Sequence, residues 1–401
     1  MKYFFVILFF GFIFSEIATA QFFVDANFEL TIAQYKPSQS PLKPTSKHLG
    51  INSNFRFDDP FNPFRGKIFL NYRMSSTFHF DAEVLFDSKA KKINTTTSQP
   101  FRFDGFFLAG NIKPEFNFWI GKVPSSVGNF SPRSYAHINP LIGFPLMYHY
   151  KLPLPGVNTY TNTQLLSFRD ALIPGITQIY EACWLNGVTL FGKTSRFQWS
   201  GTVATGTLSN PESSHHKGYQ YAGRITTQLF EQLNVGASAG VGPYLEKANN
   251  LPNGTTLEDP KHRLYAAEFR AEYFRYELFG EIALNEWDTP LLSEKKIEAT
   301  SYYGELRYQV SPVITLTGRF DNMLYGSIAD TNGIKQKWGY DVKRTEVGII
   351  IKFIPELIVK GAWQHNEVAT VPKKTPLDIY ALQIVVRWED ILDGNKKKEK
   401  Y

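Results

Sequence analysis

Cysteine is almost absent from this chain: Cys183 is the only one in 401 residues, so no disulfide scaffold can hold the molecule together. Long apolar runs are also lacking after residue 20, and none approaches the ~18 to 20 residues that a membrane-crossing helix requires. Charge of one sign is scarce as well. Lys and Arg number 43 against 37 Asp and Glu, and the two signs are interspersed, which excludes the single-sign stripe of a nucleic-acid-binding surface. The pair His215-His216 has no third ligand at useful spacing, so neither a metal nor any other cofactor is expected.

What is present begins with Lys2, an apolar run from Tyr3 to Phe14, and Ala18-Thr19-Ala20 before Gln21. That is the order of a secretory signal peptide over 1–20. No cysteine follows the cleavage site, so no lipoprotein anchor is indicated. Residues 21–49 are expected to be a lead-in segment, 50–388 a single β unit, and 389–401 a charged tail ending in KKKEKY.

Alternation runs through the β unit. Tyr302, Gly304, Leu306, Tyr308 and Val310 share one face of an extended segment, and Tyr303, Glu305, Arg307 and Gln309 the other. After Ser311-Pro312 the arrangement repeats, which makes a tight hairpin. The same reading yields about sixteen strands, starting near Gly50, Gly66, Ser76, Phe101, Glu115, Trp184, Ser195, Gly218, Gln232, His262, Arg275, Glu298, Val313, Asp341, Glu356 and Leu377. Short connections alternate with long ones, the longest running over 122–183. An apolar run within 160–183 leaves space for one further hairpin.

A soluble sandwich would alternate in the same way, so periodicity alone does not choose between sandwich and barrel. Aromatics do: Tyr276, Trp287, Tyr302, Tyr325, Trp363, Tyr380 and Trp388 sit at strand ends, as girdles at two membrane interfaces would. The fold class expected is all-β, a transmembrane antiparallel β-barrel of about 16 strands, closed because lipid cannot satisfy a free sheet edge.

Signal peptide, loop asymmetry and an aromatic near the end of the last strand make the chain resemble a Gram-negative outer-membrane porin. Through "FWIGKVPSSVGNF" and "WGYDVKRTEVGIIIKFIPELIVKGAWQ" it is most similar to the phosphate-selective porin O/P type. The resemblance implies passive diffusion of small polar or anionic solutes, outer-membrane lipid as surroundings, a homotrimer, and a third loop that folds into the barrel and narrows it.

Candidate residues follow from parity and from the long loop. Arg224, Arg270, Arg307, Arg319, Arg344 and Lys360, with Glu268, Glu305 and Asp321, share the polar parity of their strands and are expected to line the pore. Such a balanced set of charges can either face water or brace the wall. The loop carries Lys122, Arg133, His137, His149, Lys151 and Arg169 against Asp170 and Glu181, which predicts a weakly anion-favouring constriction. Small residues over 200–206 and 236–242 would leave room for the loop. GASAG over 236–240 matches a nucleophile-elbow pattern but sits mid-strand without a following helix, so Ser238 reads as a small lumen-facing residue. Besides a diffusion porin, two classes stay open: a barrel enzyme, and a closed barrel acting as adhesin or scaffold, whose lumen the loop would plug.

Overall fold

The computed structural model describes residues 21–37, 51–52, 59–89, 100–180, 184–209, 218–248, 250–370 and 375–389. The expected signal peptide, the tail beyond Glu389, Cys183 and the His215-His216 pair lie outside the described residues. The strands are β1 (Gln21–Pro37), β2 (Phe64–Arg73), β3 (Phe78–Asp87), β4 (Phe101–Lys113), β5 (Phe116–Pro124), β6 (Trp184–Lys193), β7 (Phe197–Thr205), β8 (Tyr219–Phe230) and β9 (Leu233–Pro243). They continue with β10 (Lys261–Tyr273), β11 (Tyr276–Asp288), β12 (Lys296–Gln309), β13 (Ile314–Tyr325), the short β14 (Ser327–Ala329) and β15 (Lys335–Lys337), then β16 (Val342–Ile354), β17 (Leu357–Val368) and β18 (Thr375–Trp388). All but β14 and β15 form one closed antiparallel barrel of sixteen strands, sealed where β1 pairs with β18 from Ala26↔Trp388 to Pro37↔Leu377.

Fifteen of the sixteen strands start within two residues of the position read from the alternation. The exception is the first. Of the segment expected as a lead-in, residues Gln21–Pro37 are β1, and the start read at Gly50 lies outside the described residues. β1 obeys the same rule as its neighbours, with Leu30 and Ile32 exposed on the outside and Asn27, Glu29 and Thr31 buried inside. Ile51 instead bridges to Tyr150 within the interior. Among the described residues the apolar run in 160–183 forms no hairpin; residues Asn162–Asp170 are a helix, begun by a capping box in which the Thr161 side chain accepts from the Gln164 N–H.

Outward positions are occupied by exposed apolar side chains such as Phe103, Ile225, Leu284, Leu316, Val347 and Leu382. On a soluble protein so continuous an apolar surface would aggregate; on a closed barrel it is the lipid-facing belt. Trp363, Tyr380 and Trp388 belong to this outer face. Trp287 and Tyr325 do not, being fully buried inside the barrel.

All short turns lie at one end, with the start of β1 and the end of β18, and all long connections at the other. At the long-loop end the interior is a hydrophobic core. Trp287, Ile297, Met323, Tyr325, Val342 and Ile379 on the strands pack with Ile142, Leu146, Tyr150, Leu152, Leu154 and Ile176 of the long loop. The loop braces itself: Leu152 N–H donates to Ile176 O at 2.7 Å, and Ile176 N–H to Leu154 O at 3.0 Å.

Candidate pore and its constriction

The long loop leaves β5 after Pro124 and crosses the barrel interior, as its partners on many strands show. Ser126 Oγ lies 2.8 Å from Thr202 Oγ1 on β7, and Gly128 N–H donates to Ser238 Oγ on β9 at 3.1 Å. Tyr148 OH donates to Glu281 Oε1 on β11 at 2.8 Å, and Tyr135 OH to Glu83 Oε2 on β3 at 2.8 Å. Small residues permit the close approach. A Cβ on Gly240 would meet Leu208 and Val127 at 3.0 to 3.2 Å, and Gly128, at φ +70°, lies against Tyr148 and Glu281. Ser238 thus serves as an acceptor for the loop, mid-strand, with no helix after it.

Against β11–β17 the loop is sealed by charge. Arg319 is fully buried and reaches Glu346 at 2.9 Å, Asp321 at 3.2 Å and Glu305 at 3.5 Å. Glu305 also accepts from Arg133 of the loop at 2.5 Å and from Arg307 at 2.9 Å. The remaining capacity of these groups is spent on loop backbone: Gly143 N–H donates to Glu346 at 2.8 Å, Leu146 N–H to Asp321 at 3.1 Å, Arg344 Nη1 to Phe144 O at 2.6 Å, and Lys360 Nζ to Asn139 O at 2.8 Å. Buried charges survive best when paired and hydrogen-bonded; Arg319, Glu305, Asp321 and Glu346 form such a paired cluster, while Arg344 and Lys360 are held by hydrogen bonds to neutral carbonyl oxygens. Arg319, Arg344, Lys360, Glu305 and Asp321 therefore face inward, as their parity requires, but they hold the loop and do not line water.

The opposite wall differs. Between β5 and β10 the loop leaves two adjoining cavities of about 440 and 340 Å³, which share Gln198, Arg224 and Thr226. The first also exposes Trp119, Phe191 and Lys193, under a roof of Ser125, Ser126 and Gly128. The second is bordered by Arg133, Arg270, Glu268 and Phe279. Arg224 Nε donates to Glu268 at 3.0 Å, and Arg270 pairs with Glu272 and Glu277. The guanidinium of Arg133 stacks 3.7 Å from the centre of the Phe279 ring, with Arg307 on the same ring at 4.5 Å. Of the pore-lining set, Arg224, Arg270 and Glu268 border open space, and Arg307 lies beside it.

The loop cations are scattered, not gathered at one narrow point. Lys122 stands on β5 at the parity of Phe118 and Ile120, on the outer face, and donates to Phe103 O at 2.7 Å. His149 is buried against Phe144, and Lys151 is buried in the loop. Arg169 sits at the long-loop rim, where it binds Asp170 and the Lys337 carbonyl at 2.7 Å and covers Tyr340. Only Arg133 and His137 reach the lower surface of the loop. His137 Nδ1 lies 3.1 Å from Asn27, and burial, reinforced by nearby Arg387, Lys360, Lys67 and Lys352, lowers its imidazole to about 4. It is neutral near pH 7 and contributes no standing charge. Lys193 and Phe279, both bordering open space, were not among the sequence candidates; Lys193 was legible only as the last inward position before a turn.

No protein-family model matches the sequence, and no curated protein does. Solved structures match in fold. OmpF of Salmonella typhi, in complex with daunomycin, is 10% identical with a TM-score of 0.54, over 91% of this chain and 97% of that one. An anion-selective porin from Comamonas acidovorans is 9% identical with a TM-score of 0.53, over 92% and 99%. In-vitro folded OmpT in its trimer form, an outer membrane protein of Vibrio cholerae, is 11% identical with a TM-score of 0.52, over 92% and 99%. The chain thus has the sixteen-stranded fold of Gram-negative outer-membrane porins, and its apolar belt places it in an outer membrane, which it crosses with every strand of the barrel.

Proposed function

We propose that the protein is a porin-type channel for small polar solutes, with a weak preference for anions, and not an enzyme. One observation carries the reading: the two cavities along β5–β10 are bordered by four cations, Arg133, Lys193, Arg224 and Arg270, and by one carboxylate, Glu268. A cleft bordered mostly by one sign concentrates the opposite ion. The sign agrees with the sequence resemblance to the phosphate-selective O/P type. The trimer form of the Vibrio cholerae neighbour supports a homotrimer here. Refolded protein in planar bilayers under a KCl gradient should give a reversal potential of the anion-favouring sign, and Arg224→Glu with Arg270→Glu should move it toward cations. A cation preference in the unmodified protein would overturn the reading.

A second reading, a barrel held closed by its loops, is favoured by the apolar core at the long-loop end. Correctly folded protein that never conducts would select it.

A further inference from the structure

We infer that the larger cavity, of about 440 Å³, is a binding site for organic anions with an aromatic or similarly flat apolar body, such as aromatic monocarboxylates; this rests on the channel reading and names its preferred solute class. Three inward-facing aromatics run side by side across β4, β5 and β6. The Phe107 and Trp119 ring centres are 5.3 Å apart, and those of Trp119 and Phe191 4.4 Å. Their register confirms a single face, since Phe107 pairs with Gly121 and Trp119 with Thr189, all at the parity of the polar lumen positions.

Inward aromatics are treated differently on the other wall. Trp287, Tyr303 and Tyr325 are all buried beneath loops. Phe107, Trp119 and Phe191 stay only partly covered, and the latter two open onto the cavity. Aromatic surface left against water is unfavourable, and a flat apolar solute would cover it.

The charge is supplied at the same place. No carboxylate borders this cavity, whereas Arg224 and Lys193 do. Lys193 is exposed at the short-turn end, and among the described residues its ammonium makes no ion pair. A hydrated inorganic anion would gain from the cations alone. An aromatic carboxylate gains from both, with its ring along Trp119 and Phe191 and its carboxylate toward Lys193 or Arg224.

Calorimetric titration of the detergent-folded full chain with benzoate, acetate and benzyl alcohol tests this. Benzoate should bind roughly tenfold tighter than either of the others, as expected when a stacking contact and a charge contact are each removed in turn. Trp119→Leu should lower benzoate affinity by about tenfold. Lys193→Gln, at an exposed rim position, should lower benzoate but not benzyl alcohol. Equal affinity for benzoate and acetate, or for benzoate and benzyl alcohol, overturns the inference. Bilayer recordings separate the two proposals: anion preference without benzoate selectivity defeats only the aromatic site, and benzoate binding without conductance defeats only the channel.

Discussion

The barrel has two walls built on one rule, and they end up with opposite properties. Along β11–β17 the loop holds Glu346, Asp321, Arg344 and Lys360 through its backbone and Glu305 through Arg133, and Arg319, Glu305 and Glu346 have fully buried side chains. Along β5–β10 the pair of Arg224 and Glu268 has the same chemistry, yet the Arg224 side chain stays 30% exposed. Both walls alternate apolar and polar residues. Whether the loop lies on a wall decides whether its charges brace the protein or meet a solute.

The largest expected effect comes from breaking the sealed wall. Arg319→Ala would leave Glu305, Asp321 and Glu346 without their shared buried partner and should cost about 3 to 5 kcal/mol. Arg319→Lys should rescue little of it, since an ammonium cannot span three carboxylates as a guanidinium does. Arg224→Ala, on the open wall, should cost less, about 1 to 3 kcal/mol, because Arg224 is 30% exposed although its partner Glu268 is buried, and should change ion preference. Thermal unfolding in detergent measures the stabilities; similar losses for Arg319 and Arg224 would erase the distinction between the walls.

An intermediate effect is expected where the loop touches both regions. Gly128→Ala would place a methyl group against Tyr148 and Glu281 at a backbone angle that alanine disfavours, for about 1 to 3 kcal/mol. If the loop is displaced, single-channel conductance should rise along with the lowered melting temperature.

The smallest effect should come from pH. His137 has a folded value of about 4, against 6.5 for a free imidazole, so between those limits the unfolded chain binds more protons. Stability should therefore rise with pH across that window and stay undiminished above it. His137→Asn should flatten the slope, and ion preference should not shift between pH 7 and 5 on account of this residue. A sharp selectivity change over that interval that vanishes in His137→Asn would show the imidazole charging where the geometry keeps it neutral.

Much of the fold was legible in the order of residues, because alternation is local: Glu305 and Leu306 are assigned to opposite faces by adjacency alone. β1 escaped this reading although Phe28, Leu30 and Ile32 alternate with Asn27, Glu29 and Thr31 as clearly as any strand. Nothing within one strand says that it closes against the last, and a strand assigned at Gly50 had already made the count even. The candidate site was less legible. Arg133 and Lys151 belong to one loop and look equivalent along the chain, but one binds Glu305 at the lower surface and the other is buried farther along the same loop.

The sequence by itself determined the strand faces, the lipid-facing belt, the asymmetry of short and long connections, and which residues point inward, since each depends on neighbours a few positions apart. Only the tertiary structure decided which inward residues meet water. That choice rests on where residues 125–180 lie across the barrel, and their path is set by partners on β1, β3, β7, β9, β11 and β16 that no local pattern brings together.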